Sequence, residues 1–241
     1  MKKLIKKVLK SIGYQIKQYE DFPGLKIITH FDINKLLDVG ANVGQYSLNM
    51  RRIGFNKKII SFEPLKIAYE RLKEVASNDK NWVVNNYALG NENVKSMINV
   101  SGNSVSSSIL NMLPEHIKRA PDSKYVDKEN IEIKKLDSIF QNLFEDGDNI
   151  LLKIDTQGYE KNVILGAENI LSKIRIIQLE MSLVPLYENE ILFIEMINFL
   201  DSKGFELVSL ENGFADTKTG KLLQLDGTFV NKEISNNFYN K

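Results

Sequence analysis

The residues best suited to chemistry stand in Leu37-Asp38-Val39-Gly40-Ala41-Asn42-Val43-Gly44-Gln45. An apolar run ends there in two glycines and gives way to helical spacing. Gly40 and Gly44 allow a tight turn and close approach of a ligand to the backbone. A helix beginning at such a turn presents N–H groups and positive partial charge. Two cofactors suit it. A dinucleotide sets its pyrophosphate on the helix N-terminus. S-adenosylmethionine sets its amino-acid end there, with an acid nearby to meet the ammonium and the sulfonium. Asp38 favours the second, because a carboxylate at the strand end repels pyrophosphate and attracts a cation. The three-glycine dinucleotide spacing is also missing, since Asn42 holds the middle position. Glu63, in Ser61-Phe62-Glu63-Pro64, follows the glycines by about 20 residues, where a carboxylate accepts both ribose hydroxyls of an adenosine.

Methyl transfer from such a sulfonium would be an in-line displacement at carbon. Further residues must then orient the acceptor and take its proton. Asp155 ends an apolar run and is a candidate base, acceptor anchor or metal ligand. His116 is one of two histidines and titrates in the right range for a base; His30 has no supporting context. Glu180 ends a later strand on the same sheet edge and would face Asp155 across a cleft. Asp155, His116 and Glu180 are therefore expected to form the acceptor site. The carboxylate pair suits sugar hydroxyls, or a divalent cation with oxygen ligands, and the sequence leaves the metal open. Glu160 reads as a helix-start carboxylate favoured by the helix dipole alone.

Such residues need strands whose ends meet at one edge. Strand-like runs at 35–39, 57–62 and 82–88 alternate with helical spacing at 45–53 and 65–76, which means βαβ units and a parallel sheet. Right-handed crossovers bring the loops after each strand to one edge. Residues 91–148 break this rhythm and read as an insertion, or lid, over the active edge. Within it 94–100 and 131–136 are extended, 103–108 is a serine-rich loop and 112–119 is a short helix. Strands at 149–155 and 175–181 and helices at 160–171 and 191–203 resume the order. Strands at 205–210 and 222–230 suggest an antiparallel edge. Residues 31–241 thus form one domain, preceded over 1–30 by a helix and linker.

Composition narrows the class. The chain has 241 residues, 43% hydrophobic and 26% charged, with a net charge of +1 and no cysteine. Thiolate metal sites, cysteine nucleophiles and disulfides are excluded. Neutral charge without a basic-aromatic surface pattern argues against a nucleic-acid substrate, as does Asp155-Thr156-Gln157-Gly158 in place of the Asp-Pro-Pro-Tyr signature of base methyltransferases. No apolar run approaches a membrane span and no secretory signal is expected, so the expected location is cytoplasmic. Residues 2–19 alternate lysines with Leu4, Ile5, Val8, Leu9, Ile12 and Ile16. This is a basic amphipathic pattern, read either as a helix packed on the domain or as a peripheral contact with the inner face of a membrane.

Several stretches carry a family resemblance: DVGANVGQYS (38–47), FEP (62–64), NYALG (86–90), SVSSSIL (104–110), LD (136–137), LKIDTQGYEKNVILGA (152–167) and the LE pair at 179–180. The chain resembles the FkbM family of S-adenosylmethionine-dependent methyltransferases. The 152–167 block is the most specific, and the resemblance does not reach residues 1–30. It implies a Rossmann-like class I methyltransferase fold: a mostly parallel seven-stranded sheet, an antiparallel edge and helices on both faces. It also implies methylation of a hydroxyl, on sugars of glycans or on related metabolites. By position, Asp38, Gly40, Ala41, Asn42 and Gly44 would line the methionine end of the cofactor. Glu63 and Pro64 would meet the ribose, and Asn86, Tyr87 and Ala88 would flank the adenine. Ser107 and Ser108 would close over it, and Asp155 would stand beside the transferred methyl. Two other readings remain open. One is an NAD-dependent oxidoreductase or epimerase, disfavoured by Asp38 and by the lack of a well-placed Tyr-x-x-x-Lys pair. The other is a non-catalytic, membrane-peripheral cofactor-binding protein.

Overall fold

The computed structural model describes Ser11 and residues 23–239. The amphipathic pattern at 2–19 lies, Ser11 apart, outside the described residues.

The strands that build the site are short and apolar: β1 (Lys35–Val39), β2 (Lys58–Phe62), β3 (Trp82–Asn85), β7 (Ile150–Ile154) and β8 (Ile174–Ser182). Strands covered by helices on both faces must be apolar on both sides, so β1 and β7 are buried at every position. With β9 (Phe205–Asn212) and β10 (Gln224–Asn231) they form one seven-stranded sheet in the order β3-β2-β1-β7-β8-β10-β9. The β1, β2, β3, β7 and β8 neighbours pair in parallel, and β10 pairs antiparallel with both β8 and β9. This is a Rossmann-like, doubly wound sheet with an antiparallel edge. Between β1 and β7 the winding direction reverses, which opens a crevice at their carboxyl ends.

The period of two along each strand splits the core. Leu36, Ile59 and Leu151 face Met50 of α2 (Gln45–Arg52), Leu72 of α3 (Lys66–Ala76) and Ile28 of α1 (Pro23–His30). Their neighbours Leu37, Ile60 and Leu152 face Val163 of α6 (Glu160–Leu165) and Leu200 of α7 (Phe193–Ser202). The expected helix over 160–171 is shorter. A Cβ at Gly166 would stand 1.8 Å from the Gly90 carbonyl oxygen, so the chain passes as bare backbone and continues as a 3-10 turn at Glu168–Lys173. No helix among the described residues is long and apolar enough to cross a membrane.

The expected single strand over 82–88 is two. β3 stops at Asn85, and β4 (Ala88–Leu89) leaves the main sheet. Between them Asn86 donates from Nδ2 to the carbonyls of Glu63 and Pro64, both at 2.9 Å, which turns the chain out of the ladder. β4 joins β5 (Val94–Ser101) and β6 (Tyr125–Lys134) in a second, three-stranded sheet of order β4-β6-β5. The stretch 91–148 is therefore anchored: Ile98, Ile131 and Ile133 pack with Leu65, Ala68 and Ala88. It also carries α4 (Pro114–Arg119) and α5 (Leu136–Ile139). The terminal helix α8 (Lys232–Tyr239) follows β10.

Candidate active site

A cleft of about 360 Å³ lies at the carboxyl ends of β1, β2, β7 and β8. The glycine turn forms its floor. Gly40 has φ +74°, and a Cβ there would stand 1.9 Å from the Asp155 carbonyl oxygen, so only glycine lets β1 pass β7 this closely. The N–H groups of Gly40 and Ala41 both donate to the Phe62 carbonyl, at 3.0 and 3.1 Å, which ties the turn to β2. Gly44, at φ +90°, does not line the cleft; it faces Leu72 and Trp82 and lets α2 start against the core.

Glu63 is the fixed point at the nucleoside end. Its Oε2 accepts the Asn42 N–H at 2.8 Å and its Oε1 the Leu65 N–H at 2.9 Å. Burial pushes its carboxyl up to about 7, and the two N–H donors pull the other way. A buried carboxylate held by backbone on one side keeps its outer lone pairs for two adjacent hydroxyls. Pro64, Leu65, Ala88 and Ile98 give this end apolar walls, and Asn42, in the left-handed region at φ +48°, donates from Nδ2 to Ser104 Oγ at 3.4 Å. Glycine turn, buried acid and apolar wall fit the methionine, ribose and adenine portions of S-adenosylmethionine.

Several expected contacts sit behind the wall. Asn86 and Tyr87 do not line the cleft. Asn86 braces the Glu63 backbone, and the Tyr87 ring packs on Phe62 beneath Lys134 Nζ. Ser107 lines the cleft, whereas Ser108 is buried and donates from Oγ to the Gln157 carbonyl at 2.7 Å. Asp38 is fully buried, accepting from Ser47 Oγ at 2.6 Å and lying 3.4 Å from Lys153 Nζ. Its charge is thus matched within the protein and does not meet a ligand bare.

At the other end Asp155 leaves β7 into a turn that Glu160 organises. Glu160 Oε1 accepts the N–H groups of Thr156 and Gly158 at 2.9 and 3.1 Å. Gln157, at φ +56°, turns its amide inward. Its Nε2 donates to Asp155 Oδ1 at 2.8 Å and to Glu180 Oε2 at 3.1 Å, and its Oε1 accepts from the Tyr187 hydroxyl at 2.7 Å. Lys153 Nζ lies 3.3 Å from Asp155 Oδ2, and 5.2 Å from the Tyr46 ring centroid. Burial alone would lower the lysine's pKa, but the Asp155 and Asp38 charges raise it above the usual value, so it is an ammonium. Asp226, from β10, also lines this end, with Gln178 and Tyr46.

Of the three expected acceptor residues, only Asp155 lines the cleft. Glu180 reaches it through Gln157, and burial followed by the Asp155 and Glu160 charges raises its carboxyl pKa well above the usual range. His116 stands apart from the cleft. α4 buries its imidazole edge-on to Tyr187 at 5.1 Å and against Phe214 at 5.6 Å, away from the cleft, and burial pushes its pKa down to about 4. A base at His116 is not what this packing provides. The divalent cation is likewise unsupported. Among the described residues no three carboxylate or imidazole groups converge as metal ligands, and the cation between Asp38 and Asp155 is Lys153.

Sequence reasoning missed Lys153, Gln157 and Asp226. Lys153 and Asp226 had a signal: each is a charge inside an apolar strand, Ile150-Leu151-Leu152-Lys153-Ile154 and Leu225-Asp226-Gly227.

Known proteins bear on this geometry. The family described as the methyltransferase FkbM domain matches residues 38–207. Methyltransferase sdnD of Sordaria araneosa is 29% identical over 155 residues, covering 55% of this chain and 60% of that protein. TehB from Haemophilus influenzae superposes with a TM-score of 0.47 at 12% identity, over 93% of this chain and 65% of its own. Fibrillarin from Aeropyrum pernix, solved with natively bound S-adenosyl-L-methionine, has a TM-score of 0.44 at 10% identity, over 82% of this chain and 66% of its own. With a family match that runs from Asp38 near the end of β1 to the first residues of β9, the chain belongs to the FkbM methyltransferase family.

Proposed function

We propose that this protein is an S-adenosylmethionine-dependent O-methyltransferase whose acceptor is a sugar hydroxyl of a glycan or a related metabolite. The observation that carries the reading is the two-ended cleft. Glu63 is pinned for adenosine hydroxyls at one end, and Asp155 is clamped by Lys153 and Gln157 at the other. When bound, the cofactor supplies an electrophilic methyl carbon on a sulfonium.

The protein's own residues do the rest. Glu63 accepts the ribose hydroxyls, and the Gly40–Asn42 turn meets the amino-acid end. Asp155, paired with the Lys153 ammonium, presents negative potential to the sulfonium and a hydrogen-bond acceptor to the incoming hydroxyl. Asn49, Gln157 and Gln178 line the same end. Amides and carboxylates in one place suit the paired hydroxyls of a sugar. Several carboxylates against one ammonium disfavour a polynucleotide, whose phosphates they would repel.

Calorimetric titration with S-adenosylmethionine, S-adenosylhomocysteine and NAD, for the full chain and for Glu63→Ala, tests the cofactor. Binding of the two sulfur ligands that is lost in the variant supports the reading. Binding of NAD alone overturns it. Transfer of radiolabelled methyl onto a panel of methyl glycosides then tests the acceptor class, and label found only on nitrogen acceptors would refute the hydroxyl assignment.

A further inference from the structure

We propose that Asp226 is the group that removes the acceptor's proton. The inference rests on the methyltransferase reading, and it concerns a residue beyond 207, outside the stretch matched to the family. Three carboxylates gather at the acceptor end, and their environments differ. Asp155 has both oxygens committed, Oδ1 to Gln157 Nε2 and Oδ2 to Lys153 Nζ. With a partner on each oxygen, its carboxylate is already engaged and is not the free acceptor for a further proton. Glu180 is engaged by the amides of Gln157 and Gln224 and does not line the cleft. Asp226 is half-buried and lines the cleft, and among the described residues its carboxylate, unlike its ladder-paired backbone, has no hydrogen-bond donor.

Its position follows from β10. The strand runs antiparallel to β8, and Asp226 pairs with Glu180, which places it at the sheet edge where β7 and β8 end. The charged and titratable groups facing it come from every neighbouring element: Asp155 and Lys153 of β7, Glu180 of β8, Glu211 of β9 and Tyr46 of α2. Burial, then the Asp155 charge, raises its carboxyl to about 6, with Lys153 opposing. A base poised near the working pH combines availability with driving force.

The step balances without a further reactant. The acceptor O–H bond breaks and its proton passes to an Asp226 carboxylate oxygen. The oxygen's electron pair forms the new O–C bond to the methyl carbon. The C–S bond breaks with its pair going to sulfur, which becomes a neutral thioether. Asp226 returns the proton to water at the open cleft.

The test compares the full chain with Asp226→Asn. Carbon-13 NMR of aspartate-labelled protein, without ligand, should show a carboxyl titrating near pH 6 that is absent from the variant. The variant should bind S-adenosylhomocysteine as the parent does. Its methyl transfer to the methyl glycoside panel should fall by about 10²–10⁴-fold and lose the acid limb of the pH profile. An Asp226 carboxyl titrating at its ordinary value, or a variant that transfers methyl at the parental rate, overturns the proposal. If neither protein binds S-adenosylhomocysteine, the cofactor reading fails instead, and the NMR titration still decides whether Asp226 has the required basicity.

Discussion

Lys153 Nζ lies 3.4 Å from Asp38 Oδ1; both side chains are buried, the lysine lining the cleft and the aspartate behind it. The lysine also faces Asp155, so one ammonium compensates two carboxylates. Removing it leaves both uncompensated, and breaking a buried pair from one side costs about 3–5 kcal/mol. Lys153→Met should therefore lower the unfolding free energy in urea by about that amount. Adding Asp38→Asn should recover part of the loss, because the orphaned charge is then gone. Additive losses in the double variant would show that the two residues do not act as a pair.

Gln157 is the second joint. One side-chain amide holds Asp155, Glu180 and the Tyr187 hydroxyl together, from a backbone position in the left-handed region. Gln157→Ala should free Asp155 to move by an ångström or so, a displacement that costs on the order of 10²-fold in turnover. S-adenosylhomocysteine affinity should hold, because Glu63 and the glycine turn are untouched. Stopped turnover with loss of affinity would mean that the whole cleft had collapsed.

Glu63 makes cofactor binding pH-dependent. Its carboxyl is raised to about 7 in the ligand-free cleft, chiefly by burial. Hydroxyl donors that bond the charged form pull such a pKa down, so cofactor binding near neutral pH should release protons. Calorimetry in buffers of different ionisation enthalpy reads this directly. Affinity should weaken as pH falls below about 7, where the carboxyl must first be deprotonated. Glu63→Gln should abolish that share of the proton release, and equal release from variant and parent would assign the proton to another group.

Much of this arrangement was legible in the residues. The strands at 35–39 and 57–62 and the glycine turn are readable because each obeys a local rule: a buried parallel strand is mostly apolar, and a tight turn needs glycine. The break after Asn85 was not, because it depends on Asn86 reaching the Glu63 and Pro64 carbonyls across the turn. The acceptor end was read in part. Asp155 follows from strand position alone, but the partners of Asp155 come from β8, from the turn after β7 and from Lys153, whose roles appear only when the sheet order is known. Residue type alone does not show how His116 behaves, because that is set by Tyr187 and Phe214 packed against it.

That packing gives the last prediction. Burial holds His116 neutral, with a pKa of about 4 against an ordinary value near 6.5. A histidine depressed in the folded state costs nothing above its unfolded pKa. As pH falls from about 6.5 toward 4, the unfolded chain takes up a proton that the folded chain refuses, and stability drops by on the order of 2 kcal/mol. His116→Phe keeps an aromatic ring against Tyr187 and removes the titration. The variant should lose less stability than the parent between pH 7 and pH 4.5 in thermal unfolding, while cofactor affinity and methyl transfer at neutral pH stay at parental levels. A fall of 10²-fold or more in transfer, of the size expected when a general base is removed, would return His116 to the acceptor site and require α4 to swing toward the cleft during turnover.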